Sequence, residues 1–208
     1  MTTTLSKLAV ALAMATSLFA APAMASEKGD LLRDANATVD ALKSDAAFAT
    51  AKTMIADARA LYIVPKLIKG GFIFGAEGGK GVLVKRAGAG WGAPSYYNMG
   101  SASFGLQAGL QQAKLIFIIN SQKALDGIEK GNFKIGAGAG LTVVNLSSGA
   151  EGATTARGGD MVVWTSGSGA YAGISFNGSV ITPDSDLNAD KVVEPGAAAL
   201  RAKLATVK

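Results

Sequence analysis

The side chains that most often carry enzyme chemistry are missing from this sequence. Its 208 residues include no His and no Cys. That removes the commonest general base and metal ligand together with the thiolate nucleophile. A Ser nucleophile would have to rely on Lys as its base, and the S-x-x-K spacing of penicillin-binding enzymes occurs nowhere in the chain. Gly75-Ala76-Glu77-Gly78-Gly79-Lys80-Gly81 has the outline of a phosphate loop, but three residues separate Gly75 from Gly79 where four are needed. Gly81 also stands where a Ser or Thr must follow the Lys to hold magnesium. The segment reads instead as a glycine-rich turn between two strands. Asp184, Asp186, Asn188 and Asp190 alternate like the first ligands of a calcium loop. Ala189 replaces the glycine that such a loop needs for its sharp turn, and Pro195 stands where the bidentate Glu belongs. This stretch reads as a solvated acidic turn. The expectation is a protein without catalytic residues, metal or cofactor.

What the sequence does offer is cations beside amphipathic aromatics. Lys66 and Lys69 flank Leu67-Ile68, Lys85-Arg86 end a strand candidate, and Trp91, Tyr96 and Tyr97 follow. These seven residues are the candidate lipid-binding set, because aromatic rings with a polar edge settle at headgroup depth. Each Lys or Arg near an anionic surface adds about 1 kcal/mol. The formal net charge is +5, and it is concentrated: residues 61–134 carry 9 basic and 3 acidic side chains, whereas residues 26–60 and 135–208 each carry 5 basic and 6 acidic. A basic patch attracts anionic lipid, nucleic acid and acidic polymer alike.

The N-terminus narrows that choice. Lys7 is followed by a largely apolar stretch from Leu8 to Ala21, then by Pro22 and Ala23-Met24-Ala25. Charge, apolar core and A-x-A in that order make a secretory signal peptide, with cleavage expected before Ser26. The apolar run is short of the roughly 20 residues that span a bilayer. Residues 1–25 are therefore read as a signal peptide and residues 26–208 as a single domain. The expected location is periplasmic or secreted, where nucleic acid is not a partner. A chain this long can build a core without disulfides, so the absence of Cys suits an oxidising compartment.

Several elements must position the basic set. Leu32, Ala35, Val39 and Leu42 recur at helical spacing, as do Phe48, Ala51, Ile55 and Ala58. Two N-terminal helices are expected, the second capped by Ser44 or Asp45. From about Leu61 the pattern turns to short β-branched and aromatic runs punctuated by Pro65, Gly70-Gly71 and Gly78-Gly79. Strand candidates are Tyr62–Val64, Gly71–Phe74, Val82–Arg86, Ser101–Leu110, Lys114–Asn120, Phe133–Ala137, Leu141–Leu146, Met161–Thr165, Ala170–Phe176 and Val180–Thr182. A short helix is expected over Ser121–Lys130, a hairpin at Asn177-Gly178, and a terminal helix from Pro195. Gly136, Gly138 and Gly140 would share one strand face and admit a close neighbour, a packed helix before a lipid tail. The fold class is α+β: N-terminal helices packed on a mainly antiparallel sheet or small barrel, closed by a C-terminal helix.

The order of these segments resembles the SYLF domain family. The segment Ala58 to Phe72, with its hydrophobic run and P-x-x-x-K-x-G pattern from Pro65 to Gly71, is similar to the family's opening. The glycine-rich Gly75–Gly81, then Trp91, Pro94 and Tyr96, then Ser101–Gly109, Leu115–Ile119, Ala124–Phe133, Gly136–Ala139 and Gly169–Gly178 continue in family order. The resemblance covers most of residues 30–183. It implies a lipid-binding domain, with phosphoinositides as ligands of eukaryotic relatives and actin as a partner of some. Lys66 and Lys69 look like basic positions of the family motif. Phospholipid or a membrane surface is the expected partner. The alternative is an envelope module that binds protein and not lipid.

Overall fold

The computed structural model describes residues 26–71, 74–104, 111–131, 133–135, 142–146, 159–166 and 178–207. Helix α1 spans Glu27–Lys43 and α2 spans Phe48–Asp57. Strands β1 (Ala60–Gly71), β2 (Phe74–Ala87), β3 (Gly90–Trp91), β4 (Ser95–Phe104) and β5 (Gln111–Ile119) follow. Then come α3 (Gln122–Glu129), β6 (Phe133–Lys134), β7 (Val143–Leu146), β8 (Met161–Ser166) and β9 (Val180–Pro183). Helices α4 (Ser185–Ala189) and α5 (Pro195–Ala205) end the chain. The strands form one sheet in the order β6-β9-β4-β2-β1-β5-β8-β7, with β3 paired to β2. All pairs are antiparallel except β7 with β8. The sheet curls into a half-barrel flanked by N- and C-terminal helices, the expected α+β class.

Alternation along the central strands builds two apolar layers. On one face Leu61 and Ile63 of β1, Val82 and Val84 of β2, Ile116 and Ile118 of β5, and Val162 and Trp164 of β8 pack against the helices. Leu32, Val39 and Leu42 of α1, Ile55 of α2, and Leu200 and Leu204 of α5 supply the other half. The opposite face carries Tyr62, Val64, Leu83, Leu115, Phe117 and Val163, covered by Leu125 and Ile128 of α3 with Phe133 and Ile181. The central strands are thus buried on both sides, which is why they read as continuous apolar runs.

Local chemistry sets the helix ends. The Gly29 N–H donates to Ser26 Oγ at 2.9 Å, capping α1, whose first turn carries Glu27 and Asp30 and whose last carries Lys43. Helix α3 is capped in the same way by Ser121. Helix α2 departs from expectation. Neither Ser44 nor Asp45 is its cap, which is Ala47 with no side-chain bond. Asp45 instead accepts the Ala47 N–H at 2.8 Å one turn earlier.

Two further expectations are corrected. Gly75–Gly81 is not a turn; it lies inside β2, paired residue by residue with β4. A Cβ on Gly81 would stand 2.5 Å from the Tyr62 ring, and one on Gly79 would stand 2.5 Å from the Lys66 carbonyl oxygen. The glycines let the neighbouring strand and its fully buried Tyr come that close. Pro65 does not end a strand either. It sits at the irregularity between Val64 and Leu67 in β1, where the ladder needs no N–H from it. The Gly136–Gly140 alternation, the Ala170–Phe176 strand candidate and residues 1–25 lie outside the described residues.

Candidate functional site

Strand β1 separates the expected basic set into two groups. Ala60 pairs with Lys85 at one end of the β1–β2 ladder, and Lys69 pairs with Glu77 at the other. At about 3.3 Å per residue, Lys66 and Lys69 lie about 20–30 Å from Lys85 and Arg86. The structure does not bring the four cations together.

At the Lys85 end the charges are committed. Lys85 pairs with Glu129 of α3. Arg86 donates to the carbonyls of Ile55, Ala56 and Ala58, closing the C-terminus of α2. Its guanidinium lies 3.9 Å from the Trp91 ring centroid. Burial lowers the Arg86 pKa, opposed by the charge of Asp57. An open cleft of about 790 Å³ adjoins this point, lined by Asp57, Arg59, Arg86, Asn120 and Gln122 among others. Arg59 donates to Gln122 at 3.2 Å. With Asp57 in the wall and the Arg86 donors directed at carbonyls, the cleft is a weak anion trap.

The aromatic members are core residues. Trp91 is 3% exposed and Tyr96 4%, both in the layer under the helices. Tyr97, at 7%, belongs to the opposite layer. Consecutive strand residues point to opposite faces, so Tyr96 and Tyr97 cannot share one surface. Burial raises the Tyr96 pKa to about 12, with help from the charges of Glu194 and Asp190.

The other end of the sheet is different. Lys66 is exposed and Lys69 half-buried. The pairings Val64↔Leu115 and Leu67↔Ala113 bracket Lys114, which therefore lies opposite Pro65–Lys66 on β5. Among the described residues none of these three lysines has an ion-pair partner. Ile68, between them, is 37% exposed. Lys114 escaped the sequence reading because its closeness to Lys66 depends on a cross-strand register. The carboxylate opposite Lys69 is withdrawn: Glu77 is buried and accepts the hydroxyls of Ser101 at 2.8 Å and Ser179 at 2.9 Å.

Beside this end lies the start of α1. Lys80 on β2 reaches Glu27 at 2.8 Å and Asp184 at 2.9 Å. Asp184 caps α4 by accepting the Leu187 N–H at 3.0 Å. Asn188 exchanges hydrogen bonds with the backbone of Tyr96. The stretch expected to be a solvated acidic turn is thus a short helix that fastens β2, β4 and α1. No cluster of His, Cys, Asp or Glu suited to a metal ion exists among the described residues. No helix there is long and apolar enough to cross a membrane.

Comparison with known proteins agrees with the resemblance read from the sequence. Residues 100–191 match the family model described as Ysc84, Las17-binding protein actin regulator. LAS seventeen-binding protein 3 of Saccharomyces cerevisiae is 32% identical over 127 residues, 59% of this chain and 28% of the relative. Human SH3 domain-containing YSC84-like protein 1 is 31% identical over 138 residues, 65% of this chain and 40% of the relative. Protein YSC84 of Saccharomyces cerevisiae is 32% identical over 127 residues, 27% of its length. The chain therefore spans between about a quarter and two fifths of the curated relatives it matches. The family description and the name of LAS seventeen-binding protein 3 speak of binding, not of catalysis. No solved structure matches.

Proposed function

Because this chain carries a domain of the Ysc84 (SYLF) family, we propose that it binds anionic lipid surfaces, and that Lys66 and Lys114 make the contact, Lys69 emerging on the face opposite to Ile68. The observation that carries the reading is that Lys66 and Lys114, opposite each other near a half-exposed Ile68 at one end of the sheet, have no ion-pair partner among the described residues. Lys85 and Arg86, spent on Glu129 and on helix carbonyls, contribute to stability instead. The reading includes export: Leu8–Ala21 and Ala23-Met24-Ala25 direct the chain out of the cytoplasm, and cleavage leaves Ser26 at the new N-terminus. Mass spectrometry of the protein recovered from the cell envelope checks this; a chain that keeps residues 1–25 overturns it.

Vesicle co-sedimentation tests the binding. Anionic vesicles should carry the protein down, neutral ones should not, and raised salt should release it. Replacing Lys66 and Lys114 by Gln should weaken binding about 30-fold at low salt, at ~1 kcal/mol per lysine. Lys85→Gln should leave it unchanged. Equal binding to neutral vesicles, or a double variant that binds like wild type, overturns the assignment. A second reading rests on the relatives named for binding LAS seventeen: the domain docks a protein. A partner captured from envelope extract by a chain that ignores all vesicles would favour it.

A further inference from the structure

Helices α1 and α5 begin at one corner of the molecule, and one carboxylate joins their starts. Glu194 is the N-cap residue of α5, yet its side chain makes no capping bond to that helix. It reaches across to the start of α1 and accepts the Ser26 hydroxyl. Its Oε2 lies 3.1 Å from where a Cβ on Gly29 would stand, so the bare glycine is what admits it. Ser26 is itself the cap of α1: its Oγ accepts the Gly29 N–H and its carbonyl the Asp30 N–H, both at 2.9 Å. Among the described residues the Ser26 N–H donates to nothing.

The other charges at this corner are matched. Glu27 pairs with Lys80 of β2 at 2.8 Å, Asp30 with Arg33 of its own helix, and Asp190 with Lys28 at 3.5 Å. Glu194 is the one of these four carboxylates without a cation among the described residues. The segment that carries it is already tied to α1. Lys28 donates to the Asp190 carbonyl at 2.7 Å and the Val192 carbonyl at 3.2 Å, and Asn36 Nδ2 donates to the Gly196 carbonyl at 3.1 Å. Glu194 is therefore held in place and not free to turn to solvent.

The expected cut supplies a cation at this point. Hydrolysis of the Ala25–Ser26 peptide bond leaves a carboxylate on Ala25 and an amine on Ser26, and the amine is largely protonated near neutral pH. That nitrogen is three covalent bonds from Ser26 Oγ, so it stands within about 4 Å of the oxygen that Glu194 contacts. In the uncut chain the same position is a neutral amide.

We infer that Glu194 is the receptor for the α-ammonium that cleavage before Ser26 frees, so that removal of the leader fastens α1 to α5 through a new ion pair. This rests on the export reading and gives the cut a structural consequence. The pair works against a second effect, since a cation at a helix N-terminus is disfavoured by the dipole of that helix. The benefit of the ammonium must then depend on the Glu194 charge, and that dependence is what sets the device apart from ordinary packing of α5.

A double-mutant cycle tests it on residues 26–208, a chain that holds every described residue. Its two forms carry a free α-amine or an acetylated one, and each is made with and without Glu194→Gln, which keeps an oxygen for the Ser26 hydroxyl. In the variant the ammonium meets only the helix start, so acetylation should raise Tm. In wild type the lost ion pair should cancel or reverse that gain, and the two acetylation effects should differ by about 2–4 °C. Amide exchange across residues 190–197 should also quicken about twofold to fivefold on acetylating wild type and stay constant in the variant. Equal acetylation effects in both backgrounds overturn the ion pair and leave export standing. Recovery from the envelope of a chain that keeps residues 1–25 overturns export and the maturation step with it, whatever the cycle shows.

Discussion

Asp184 shows how one buried carboxylate links pH to the fold. Burial pushes its pKa up, but the Leu187 N–H and the Lys80 ammonium outweigh that, and the net value lies below the ordinary carboxylate range. Asp160 moves in the same direction, chiefly through the Thr142 N–H. A carboxyl that holds its proton less tightly when folded stabilises the fold above the unfolded pKa of about 4 and loses that contribution as pH falls. Asp184→Asn should cost about 1–3 kcal/mol at neutral pH. The gap between variant and wild type should narrow from about pH 5 to pH 3, as urea denaturation at each pH would record. A gap that stays constant would mean the carboxylate charge is irrelevant. The phenols act at the other limb. Burial, then the charge of Tyr97, raises the Tyr62 pKa, and Tyr96 reaches about 12. A phenol that keeps its proton when folded stabilises fully below about pH 10 and loses that contribution as pH climbs. The Tyr62 hydroxyl makes one long bond, to the Tyr97 carbonyl at 3.3 Å. Tyr62→Phe should therefore stay within about 1 kcal/mol of wild type near pH 8 and overtake it near pH 11. Equal alkaline unfolding of the two chains would sink the assignment.

The β1–β2 pair is where packing at the element scale can be tested. A methyl on Gly81 would meet the Tyr62 ring at 2.5 Å and the Ile63 carbonyl oxygen at 2.8 Å. Gly81→Ala should cost about 1–3 kcal/mol as overpacking, read from the urea midpoint. Adding Tyr62→Leu should recover part of it, since the ring is removed while the carbonyl stays; strict additivity of the two changes would deny the contact. The same pair shows what local sequence could not say. Seven residues rich in glycine read as a turn because no side chain announces a strand there. Their strand character comes from Tyr62 and Lys66 on the neighbouring chain segment, a long-range cause. Helices α1 and α2 were legible because Leu32, Val39, Leu42, Ala51 and Ile55 repeat at the helical period and fill one layer. Helix α4 was not, because five residues give no periodicity and its function is to place Asp184 and Asn188. Of the candidate site, Lys66 and Lys69 stood out as cations beside apolar residues. Lys114 did not, since only the register of β5 brings it opposite Lys66. Trp91, Tyr96 and Tyr97 looked interfacial by type and are buried by alternation.

For the molecule as a whole, the match to the family model ends at residue 191, yet the fold does not. Helix α5 lies on α1, with Gly196 against Leu32 and Lys203 reaching Asp40. Leu200, Leu204 and Val207 enter the layer between helices and sheet, and Arg201 donates to the Trp91 carbonyl at 2.8 Å. Three large apolar side chains at about 1.5–3 kcal/mol each amount to about 5–9 kcal/mol. That is as much as the whole stability of many domains. A chain ending at Glu194 should accordingly be insoluble or lack a cooperative melting transition, with Val39, Leu42 and Trp164 losing cover. Leu200→Ala, at about 2–5 kcal/mol, should still fold with a lowered Tm, which separates loss of cover from a general defect in expression. A truncated chain melting at the wild-type temperature would show that α5 is an appendage and that the sheet closes its apolar face without it.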